Sequence, residues 1–377
     1  MPIIPTNRIV PKLLSWNQCI VVVLRSTKMG VFKLQSASLA MSLFFLASLA
    51  AEAGKVQSTG AIQPADAVKK AVSSNVQDGH LGAEDTIQTL LSHAAFRGYS
   101  RLLMPSGDRS YDGNMSIGSI GSLLPYHSHV DPNAVLAGLN RMIDDVGRGT
   151  PVFYDFYTAA EKRADPTKEH TGLFFFRGKP GAPFAVISPG GGFSYVGSVH
   201  EGFPYAADIS GQGLNAFVLR YRVGNGGAVA TEDLAAATSY IFRNANTLGV
   251  DTRNYSVWGS SAGARMAAAI GSHGVAAFGG NNLPKPAAVV MAYTAHSDVS
   301  KNEPPTFVVV GERDGIAPPS VMERRVAALR QAGTEVEYRA YKDLGHGFGP
   351  GTGTKAEGWI ADAVRFWQKF INTSVAP

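Results

Sequence analysis

The second half of the chain alternates between short apolar runs and segments in which apolar residues have helical spacing. Short runs rich in β-branched and aromatic residues are typical of buried strands. Eight such runs follow residue 151, at Val152–Thr158, Gly172–Arg177, Phe184–Ser188, Ala216–Tyr221, Tyr255–Trp258, Ala288–Tyr293, Thr306–Val310 and Val336–Tyr341. Helical spacing lies between the later runs, at Tyr205–Gln212, Thr231–Leu248, Ala262–Ser272, Ser320–Ala332 and Ala356–Ile371. This alternation predicts an α/β fold: a doubly wound, mostly parallel eight-stranded sheet with ligands at the carboxyl ends of its strands.

Local signals refine this prediction at three places. The first two runs are separated by a charged turn around Asp165-Pro166, which favours a hairpin at the sheet edge. Ser320 and Glu323 have the spacing of a capping box, which would start the fourth helix. Helical spacing also precedes the sheet, at Ala83–Ala95 and Asn133–Val146.

These patterns divide the chain into four parts. Residues 1–53 form an upstream segment with its own signal, and residues 54–82, which are small and polar, are predicted to be a flexible tether. Residues 83–150 are predicted to form a helical N-terminal extension or cap over the mouth or flank of the sheet. Residues 151–377 form the α/β domain.

The composition is that of a globular protein, and the charge distribution argues against a nucleic-acid partner. The chain has 377 residues, 45% of them hydrophobic, which is enough for one large α/β domain with extra segments. Its formal net charge is +5, but five of the 34 basic residues and only one of the 29 acidic residues precede Gly54. Because the remainder is nearly neutral, no nucleic-acid partner is predicted.

Residues 1–53 have the pattern of an export signal. An uncharged, mostly apolar run, Leu39–Ala51, follows two lysines and leads into Ala51-Glu52-Ala53, which matches an A-x-A cleavage site. The run is too short to cross a hydrocarbon core of about 30 Å comfortably, although an uncleaved anchor is an alternative. We expect translation from Met29, cleavage near Ala53 and a secreted or periplasmic protein. The one cysteine, Cys19, precedes Met29, so the exported chain would have no disulfide.

The run Tyr255–Trp258 leads directly into Gly259-Ser260-Ser261-Ala262-Gly263, a G-x-S-x-G sequence, and then into an alanine-rich helical pattern. A strand, a sharp turn and a helix in this order are typical of a nucleophile elbow. Glycines two positions before and after Ser261 are needed where a Cβ would clash with the strand and the helix. The N–H of Ala262 would then face an oxyanion at the helix N-terminus. Since G-x-S-x-G also occurs in ordinary turns, its context decides its meaning.

Two further motifs follow predicted strands. Gly311-Glu312-Arg313-Asp314 comes after the seventh run, and Gly345-His346-Gly347-Phe348 comes after the eighth. The chain order Ser261, Asp314, His346 is that of an α/β-hydrolase triad. A serine hydroxyl needs a base, His346 can act as one near neutral pH, and a buried Asp314 would fix its tautomer.

Two other carboxylates compete with Asp314 for this role. Glu312 lies two residues away, but the position directly before Gly315 favours Asp314. Asp343, three residues before His346, is interpreted as a solvated turn residue.

With Pro189-Gly190-Gly191-Gly192-Phe193 after the third run and Asn215–Arg222 around the fourth, these motifs resemble the α/β-hydrolase superfamily. Within it they resemble the esterase/lipase-like group, that is, bacterial acetyl esterases and relatives of hormone-sensitive lipase. The resemblance covers roughly Val152–Phe370. Pro189 replaces the histidine usual before the glycines, which makes the chain more similar to carbohydrate-ester deacetylases, and Ala264 replaces a glycine often found after the elbow.

The resemblance implies a cofactor-independent esterase and assigns roles to its residues. Ser261 would be the nucleophile, His346 the general base and then acid, and Asp314 the residue that orients His346. The N–H groups of Gly191, Gly192 and Ala262 would form the oxyanion hole. Residues 151–377 would be the catalytic domain.

The substrate pocket is predicted from the end of the glycine run. Phe193-Ser194-Tyr195 follows the glycines, and no long apolar lid helix is evident near the triad. Bulky rings at Phe193 and Tyr195 would shorten the acyl pocket, so we expect acetyl or other short acyl esters of a small molecule or a carbohydrate.

Two other motifs are candidates for binding sites. His127, His129 and Asp131 form H-x-H-x-D, which could hold a metal in an extended segment; the alternative is a polar loop at the pocket rim in which Asp131-Pro132 opens the next helix. No metal is predicted, because no further ligand cluster is visible. Gly224–Gly227 lacks the Lys-Ser/Thr of a phosphate loop, so no nucleotide is predicted.

Three functions remain compatible with the sequence. The favoured one is a secreted carboxylester hydrolase, and the alternatives are a serine peptidase of the prolyl-oligopeptidase type and a non-catalytic hydrolase fold used for binding. Such a peptidase normally has a β-propeller before its hydrolase domain, whereas here roughly a hundred residues with helical spacing and no repeats precede it. A non-catalytic relative usually lacks a triad residue, and none is missing. Neither the alcohol part of the ester nor the oligomeric state is predicted.

Overall fold

An eight-stranded sheet forms the centre of the computed structural model, which describes residues 79–372. Its strands are β1 (Phe153–Tyr154), β2 (Gly172–Phe176), β3 (Pro183–Ser188), β4 (Asn215–Arg220), β5 (Asp251–Ser260), β6 (Ala288–Ala292), β7 (Thr306–Gly311) and β8 (Val336–Tyr341). Their spatial order is β1-β2-β4-β3-β5-β6-β7-β8. Strand β2 is antiparallel to both of its neighbours, and all other pairs are parallel. The predicted fold class is therefore confirmed.

Helices cover both faces of this sheet. The α-helices of the described residues are α1 (Ile87–Ser92), α2 (Pro132–Gly147), α3 (Ala159–Ala164), α4 (Phe203–Gly211), α5 (Ala228–Arg243), α6 (Ala245–Leu248), α7 (Ala262–His273), α8 (Pro319–Gln331) and α9 (Trp359–Asn372). Within this part of the chain, no helix is long and apolar enough to cross a membrane. The predicted export signal and most of the predicted tether lie outside the described residues.

Successive strand residues alternate between two apolar layers. On β2, Phe174 and Phe176 pack into the layer formed with α2, α4 and α9, whereas Leu173 and Phe175 pack into the layer formed with α5, α7 and α8. Because both faces are covered, the central strands are apolar at nearly every position, as expected for a parallel sheet. Each fully buried aliphatic or aromatic side chain contributes about 1.5–3 kcal/mol.

Residues 83–150 share the core of the α/β domain. Their buried side chains, among them Leu90, Ile117 and Leu139, belong to the layer that contains α4 and α9. Helix α2 lies close against α4, since a Cβ at Gly138 would come 2.8 Å from the Cβ of Phe203. The N-terminal extension is therefore packed on the flank of the sheet.

A buried arginine connects this extension to the sheet by hydrogen bonds. Arg220 at the end of β4 is 3% exposed, and its Nη1 donates to the carbonyls of Met104 and Pro105 at 2.9 Å each. Burial lowers the pKa of Arg220 to about 10, so the guanidinium still carries its charge at neutral pH. The carbonyl of Pro105 also accepts the N–H of Val196 at 2.9 Å, which connects the extension to the loop that follows β3.

The predicted antiparallel pair at the sheet edge is present as β1 and β2, but more than a charged turn joins them, because the connection contains α3 and a 3₁₀ helix at Pro166–His170. Several other local predictions were wrong. Helix α8 begins at Pro319 without a side-chain cap, so Ser320 and Glu323 do not form a capping box. The capping box lies instead at Thr158 and Glu161, at the start of the unpredicted α3. The helix predicted at Thr231–Leu248 breaks at Asn244 into α5 and α6.

Candidate active site

The predicted nucleophile elbow has the expected backbone geometry. Ser261 stands between the end of β5 and the start of α7 with φ 49° and ψ −113°, a conformation that non-glycine residues rarely adopt. A Cβ at Gly259 would clash with the backbone of Gly263, and a Cβ at Gly263 would clash with the carbonyl of Ser188. The N–H of Ser261 donates to the carbonyl of Ala292 at 2.8 Å, which anchors the strained turn to β6.

The structure brings Ser261, His346 and Asp314 into one line of hydrogen bonds. His346 Nε2 lies 2.8 Å from Ser261 Oγ, and His346 Nδ1 lies 2.7 Å from Asp314 Oδ2. Asp314 Oδ1 accepts the N–H groups of Ile316 and Ala317 at 2.9 and 2.7 Å. Since the side chain of Asp314 is fully buried and both of its oxygens are occupied, its orientation toward His346 is fixed.

Neither rival carboxylate reaches His346. Glu312 points away from the core and is exposed. Asp343 has the left-handed backbone of a turn, with φ 68°, and pairs with Arg313 and Lys355 at 2.6 and 2.8 Å. The hydrogen bonds therefore single out Asp314.

The glycines after β3 lie directly beside Ser261. A Cβ at Gly190 would come 3.0 Å from the Cβ of Ser261. The N–H of Gly190 is occupied by Glu201, whereas no acceptor within the described residues pairs with the N–H groups of Gly191 and Gly192. Ala262 is the first residue of α7, where a helix provides no acceptor for its own N–H. These three N–H groups, the predicted oxyanion hole, are therefore available to a bound oxygen.

A buried polar network that no sequence pattern predicted lies beneath the glycine loop. Glu201, which is 0% exposed, accepts from Gly190 N–H, from Tyr293 O–H at 2.7 Å and from His127 Nε2 at 2.9 Å. Tyr293 also bonds the hydroxyl of Tyr205 at 2.8 Å, and its ring packs edge-on against His346 at 5.3 Å. The network therefore contacts both the glycine loop and the ring of His346.

No sequence signal pointed to Glu201 or Tyr293. Glu201 lies in a single π-helical turn, Ser198–Gly202, directly before α4, and Tyr293 follows β6 with φ 36°. Both positions are defined by packing between distant segments and match no motif. His127 had been considered only as part of H-x-H-x-D.

The chain is similar to known hydrolases and esterases. A model of the prolyl oligopeptidase family matches residues 279–374, the part of the chain that carries Asp314 and His346. The chain has the α/β-hydrolase fold. An acetylxylan esterase of Xylanibacter ruminicola is 23% identical to the chain over 227 residues, which are 52% of this chain and 47% of that esterase. The chain thus spans about half the length of the curated relative that it matches.

Two solved structures, an α/β hydrolase and an esterase, are also similar to the chain. One, from a Medee basin deep-sea metagenome library, is 25% identical with a TM-score of 0.47, covering 54% of this chain and 93% of that chain. Another, an esterase from Thermogutta terrifontis, is 20% identical with a TM-score of 0.47, covering 55% and 91%.

The three residues of the H-x-H-x-D motif have separate partners. His127 pairs with Glu201, His129 Nε2 lies 2.8 Å from the carbonyl of Thr352, and Asp131 caps α2 by accepting the N–H of Asn133 at 2.9 Å. No group of three or more possible metal ligands occurs in residues 79–372. The segment is a polar loop that opens α2.

The two predicted pocket residues differ in their surroundings. Phe193, with φ 57°, packs its ring over Gly227 and edge-on to Tyr221 at 6.4 Å, and it lines a cavity of about 520 Å³. Tyr195 is 6% exposed, and its hydroxyl bonds His127 Nδ1 at 3.1 Å. Tyr195 therefore faces the buried network and, unlike Phe193, does not line this cavity.

The cavity beside Phe193 also has polar and charged residues in its lining. Arg265, one turn after Ser261 on α7, lines it together with Glu232, Phe278, His296 and Asp298. Burial lowers the pKa of His296 to about 4, so its imidazole is neutral near pH 7.

The loop that carries His296 and Asp298 is anchored by Arg325. This guanidinium donates to the carbonyl of Asp298 at 2.6 Å and pairs with the buried Glu303 at 2.5 Å. The anchored loop gives the cavity a fixed wall that carries Asp298 and the neutral His296.

Proposed function

We propose that the chain is a serine hydrolase that cleaves carboxylic esters through an acyl-enzyme intermediate on Ser261. The observation that carries the proposal is the hydrogen-bonded line from Asp314 through His346 to Ser261 Oγ, with the N–H groups of Gly191 and Gly192 beside it. A weak nucleophile, its base and the group that orients the base lie within hydrogen-bond reach of one another.

The reaction follows from these positions. Ser261 Oγ attacks the ester carbonyl carbon while His346 Nε2 takes the hydroxyl proton, and Asp314 stabilises the imidazolium. The carbonyl oxygen becomes an oxyanion that accepts from the N–H groups of Gly191, Gly192 and Ala262. Collapse breaks the ester C–O bond, and the alcohol leaves with the proton from His346. A water molecule then attacks the acyl-enzyme by the same steps and releases the acid.

We further propose that the acyl group is short and that the alcohol is a carbohydrate or another small polyol. Phe193 is held rigidly over Gly227 next to the glycine loop, which limits the room for an acyl chain. The neighbouring cavity presents Arg265, Glu232 and Asp298, which suit a ligand rich in hydroxyl groups. The similarity to an acetylxylan esterase is consistent with this substrate class.

A peptidase is the second candidate, because the matching family model is that of the prolyl oligopeptidases. The same triad can attack an amide, but the amine is a poorer leaving group and must be protonated by His346 as it departs. Paired substrates with the same acyl group, a p-nitrophenyl ester and a p-nitroanilide, discriminate the two candidates. Proline-containing anilides belong in the same comparison.

Activity-based labelling followed by a substrate panel tests the proposal. A fluorophosphonate should label wild-type protein at Ser261, and acetyl esters, including acetylated sugars and xylan fragments, should be hydrolysed. Efficient cleavage of prolyl anilides without ester hydrolysis would favour the peptidase. Absence of both labelling and turnover in folded protein would favour a binding role.

We also propose that the protein is exported, on the basis of the pattern in Leu39–Ala51 and the A-x-A site. N-terminal sequencing of protein from its native host should find a mature chain that begins near Gly54. A mature protein that retains residues 1–28 would contradict both the export proposal and the start at Met29.

A further inference from the structure

A short segment of the N-terminal extension contacts both sides of the candidate active site. The 126–128 segment (Tyr126, His127 and Ser128) lies against the loop that carries His346, where Ser128 N–H donates to the carbonyl of His346 at 2.9 Å. The adjacent His127 turns inward and pairs with Glu201, and their side chains are 2% and 0% exposed. One three-residue segment therefore joins the His346 loop to the residue that holds Gly190.

Glu201 connects this segment to the glycine loop. Its Oε2 accepts the N–H of Gly190, and its Oε1 accepts from Tyr293 and His127. Burial by itself raises the pKa of Glu201, but His127 and the hydroxyl of Tyr293 outweigh burial and leave the pKa below its usual range. Glu201 is therefore an ionised carboxylate, and it can only accept hydrogen bonds.

The partners of His127 define its orientation. Because Glu201 only accepts, His127 Nε2 carries a hydrogen and donates to it. On the other side of the ring, Nδ1 lies 3.1 Å from the hydroxyl of Tyr195, which in turn accepts the N–H of Tyr126 at 3.3 Å. The imidazole is thus held at both nitrogens.

We propose that His127 is a positioning residue for the oxyanion hole: through Glu201 it fixes Gly190 and thereby the N–H groups of Gly191 and Gly192. This role rests on the proposed serine hydrolase chemistry. It makes the 126–128 segment, which precedes the sheet in sequence, a part of the machinery that stabilises the transition state.

The physical reason is the cost of leaving Glu201 without a partner. A buried carboxylate that loses one donor either takes up a proton or draws in water, and both changes weaken its bond to Gly190. The glycine loop would then shift relative to Ser261. Donors that stabilise an oxyanion act only when they are correctly placed in advance, so a small shift reduces kcat without greatly changing the affinity for the ground state.

The test compares His127→Leu, His127→Gln and Glu201→Gln in the full chain with p-nitrophenyl acetate. For His127→Leu, kcat per titrated active site should fall about 10- to 100-fold while KM stays within about twofold, as expected for misplacement of catalytic groups. His127→Gln keeps a donor near the position of Nε2 and should recover most of this loss. Glu201→Gln removes the charge and one acceptor with little change in shape, and should lower kcat in the same way.

His129→Leu is the matched control, since His129 lies two residues away and its side chain has one hydrogen bond within residues 79–372, to the carbonyl of Thr352. Its kcat should match that of wild type. Melting curves and circular dichroism of each variant define the temperature at which all are folded. A lower melting temperature with unchanged kcat in His127→Leu would show a purely structural role and overturn the proposal.

Two further measurements, kcat of Glu201→Gln and the rate of Ser261 phosphonylation, test the proposal if His127→Leu does not fold or if no ester is hydrolysed. If His127→Leu does not fold, wild-type kcat in Glu201→Gln overturns the proposal and a reduced kcat upholds it. The rate of Ser261 phosphonylation by a fluorophosphonate should fall by a similar factor in both variants, because the phosphonyl oxygen uses the same N–H groups. This rate tests the pair even if wild-type protein hydrolyses no ester, an outcome that would overturn the proposed function alone.

Discussion

The two sides of Ser261 are built in different ways. On the triad side, Asp314 and His346 follow the ends of β7 and β8, and Asp314 is held by N–H groups of its own loop, two and three residues away. On the oxyanion side, the glycine loop after β3 is held by Glu201, which depends on His127 and Tyr293, 74 and 92 residues distant in sequence. One side is therefore encoded locally, and the other depends on packing between distant segments.

This difference predicts two kinds of mutational response. Changes on the triad side should remove chemistry and leave the fold nearly unchanged, because Asp314, which orients His346, is supported by its own loop. Changes on the oxyanion side should reduce activity less and stability more, because they disturb a buried polar network.

The largest effect is expected for Ser261→Ala. Removal of the nucleophile should lower kcat for ester hydrolysis by at least about 10³-fold and abolish fluorophosphonate labelling. The melting temperature should stay the same or rise, because a smaller side chain at φ 49° does not add strain. Turnover close to that of wild type would refute the triad mechanism.

A loss of about 10³-fold in kcat is expected for Asp314→Asn, since the amide cannot hold His346 in the tautomer that leaves Nε2 free to accept a proton. Glu312→Gln is the matched control, because Glu312 is an exposed carboxylate two residues away. The measurement is kcat per titrated site for both variants. Equal losses in the two variants would show that Asp314 is not the orienting acid.

On the oxyanion side, Gly190→Ala should lower kcat by about 10²-fold and also lower the melting temperature. The added Cβ would lie 2.8 Å from Glu201 Oε2 and 3.0 Å from the Cβ of Ser261, so either the loop or the carboxylate must move. Gly211→Ala, where the added Cβ meets no atom within 4 Å, should behave like wild type. If Gly190→Ala loses activity without any loss of stability, the contrast between the two sides does not hold.

The smallest effect is expected for Phe193→Ala, which changes selectivity. A four-carbon extension that cannot be buried forfeits about 3 kcal/mol, so opening the pocket should raise kcat/KM for hexanoate relative to acetate by up to about a hundredfold. Phe278→Ala, which removes a ring from another wall of the same cavity, should leave the acyl profile unchanged. The measurement is kcat/KM across p-nitrophenyl esters of increasing chain length. A wild-type preference for decanoate, or an unaltered profile in Phe193→Ala, would show that Phe193 does not limit the acyl group.

The sheet and the hydrogen-bonded line of Ser261, His346 and Asp314 could be predicted because their signals are local. Six of the eight predicted strands differ from the observed ones by at most one residue at each end, since buried parallel strands are continuous apolar runs. The glycines on either side of Ser261 indicate backbone positions that have no room for a Cβ, and they lie two residues from the serine that they identify. Order along the chain then pointed to Asp314 and His346.

Other features followed from contacts that no local pattern records. The prediction of a capping box at Ser320 and Glu323 was wrong, because α8 begins at Pro319 without a side-chain cap. The capping box at Thr158 and Glu161 was not predicted, because that segment was interpreted as a strand and a turn. Tyr195 was assigned to the pocket from its position after the glycines, but its hydroxyl reaches His127 and turns the ring into the protein.

The sequence by itself determined the fold, the elbow and the three residues in line with it, because periodicity, glycine sterics and strand ends act over a few residues. Only the tertiary structure decided what lies beneath the glycine loop and how residues 83–150 meet the sheet. Glu201, His127 and Tyr293 are ordinary residues in their own segments, and they become a network only where burial removes water and forces each polar atom to find a partner. Such pairing is a property of the folded core, and the order of residues along the chain does not reveal it.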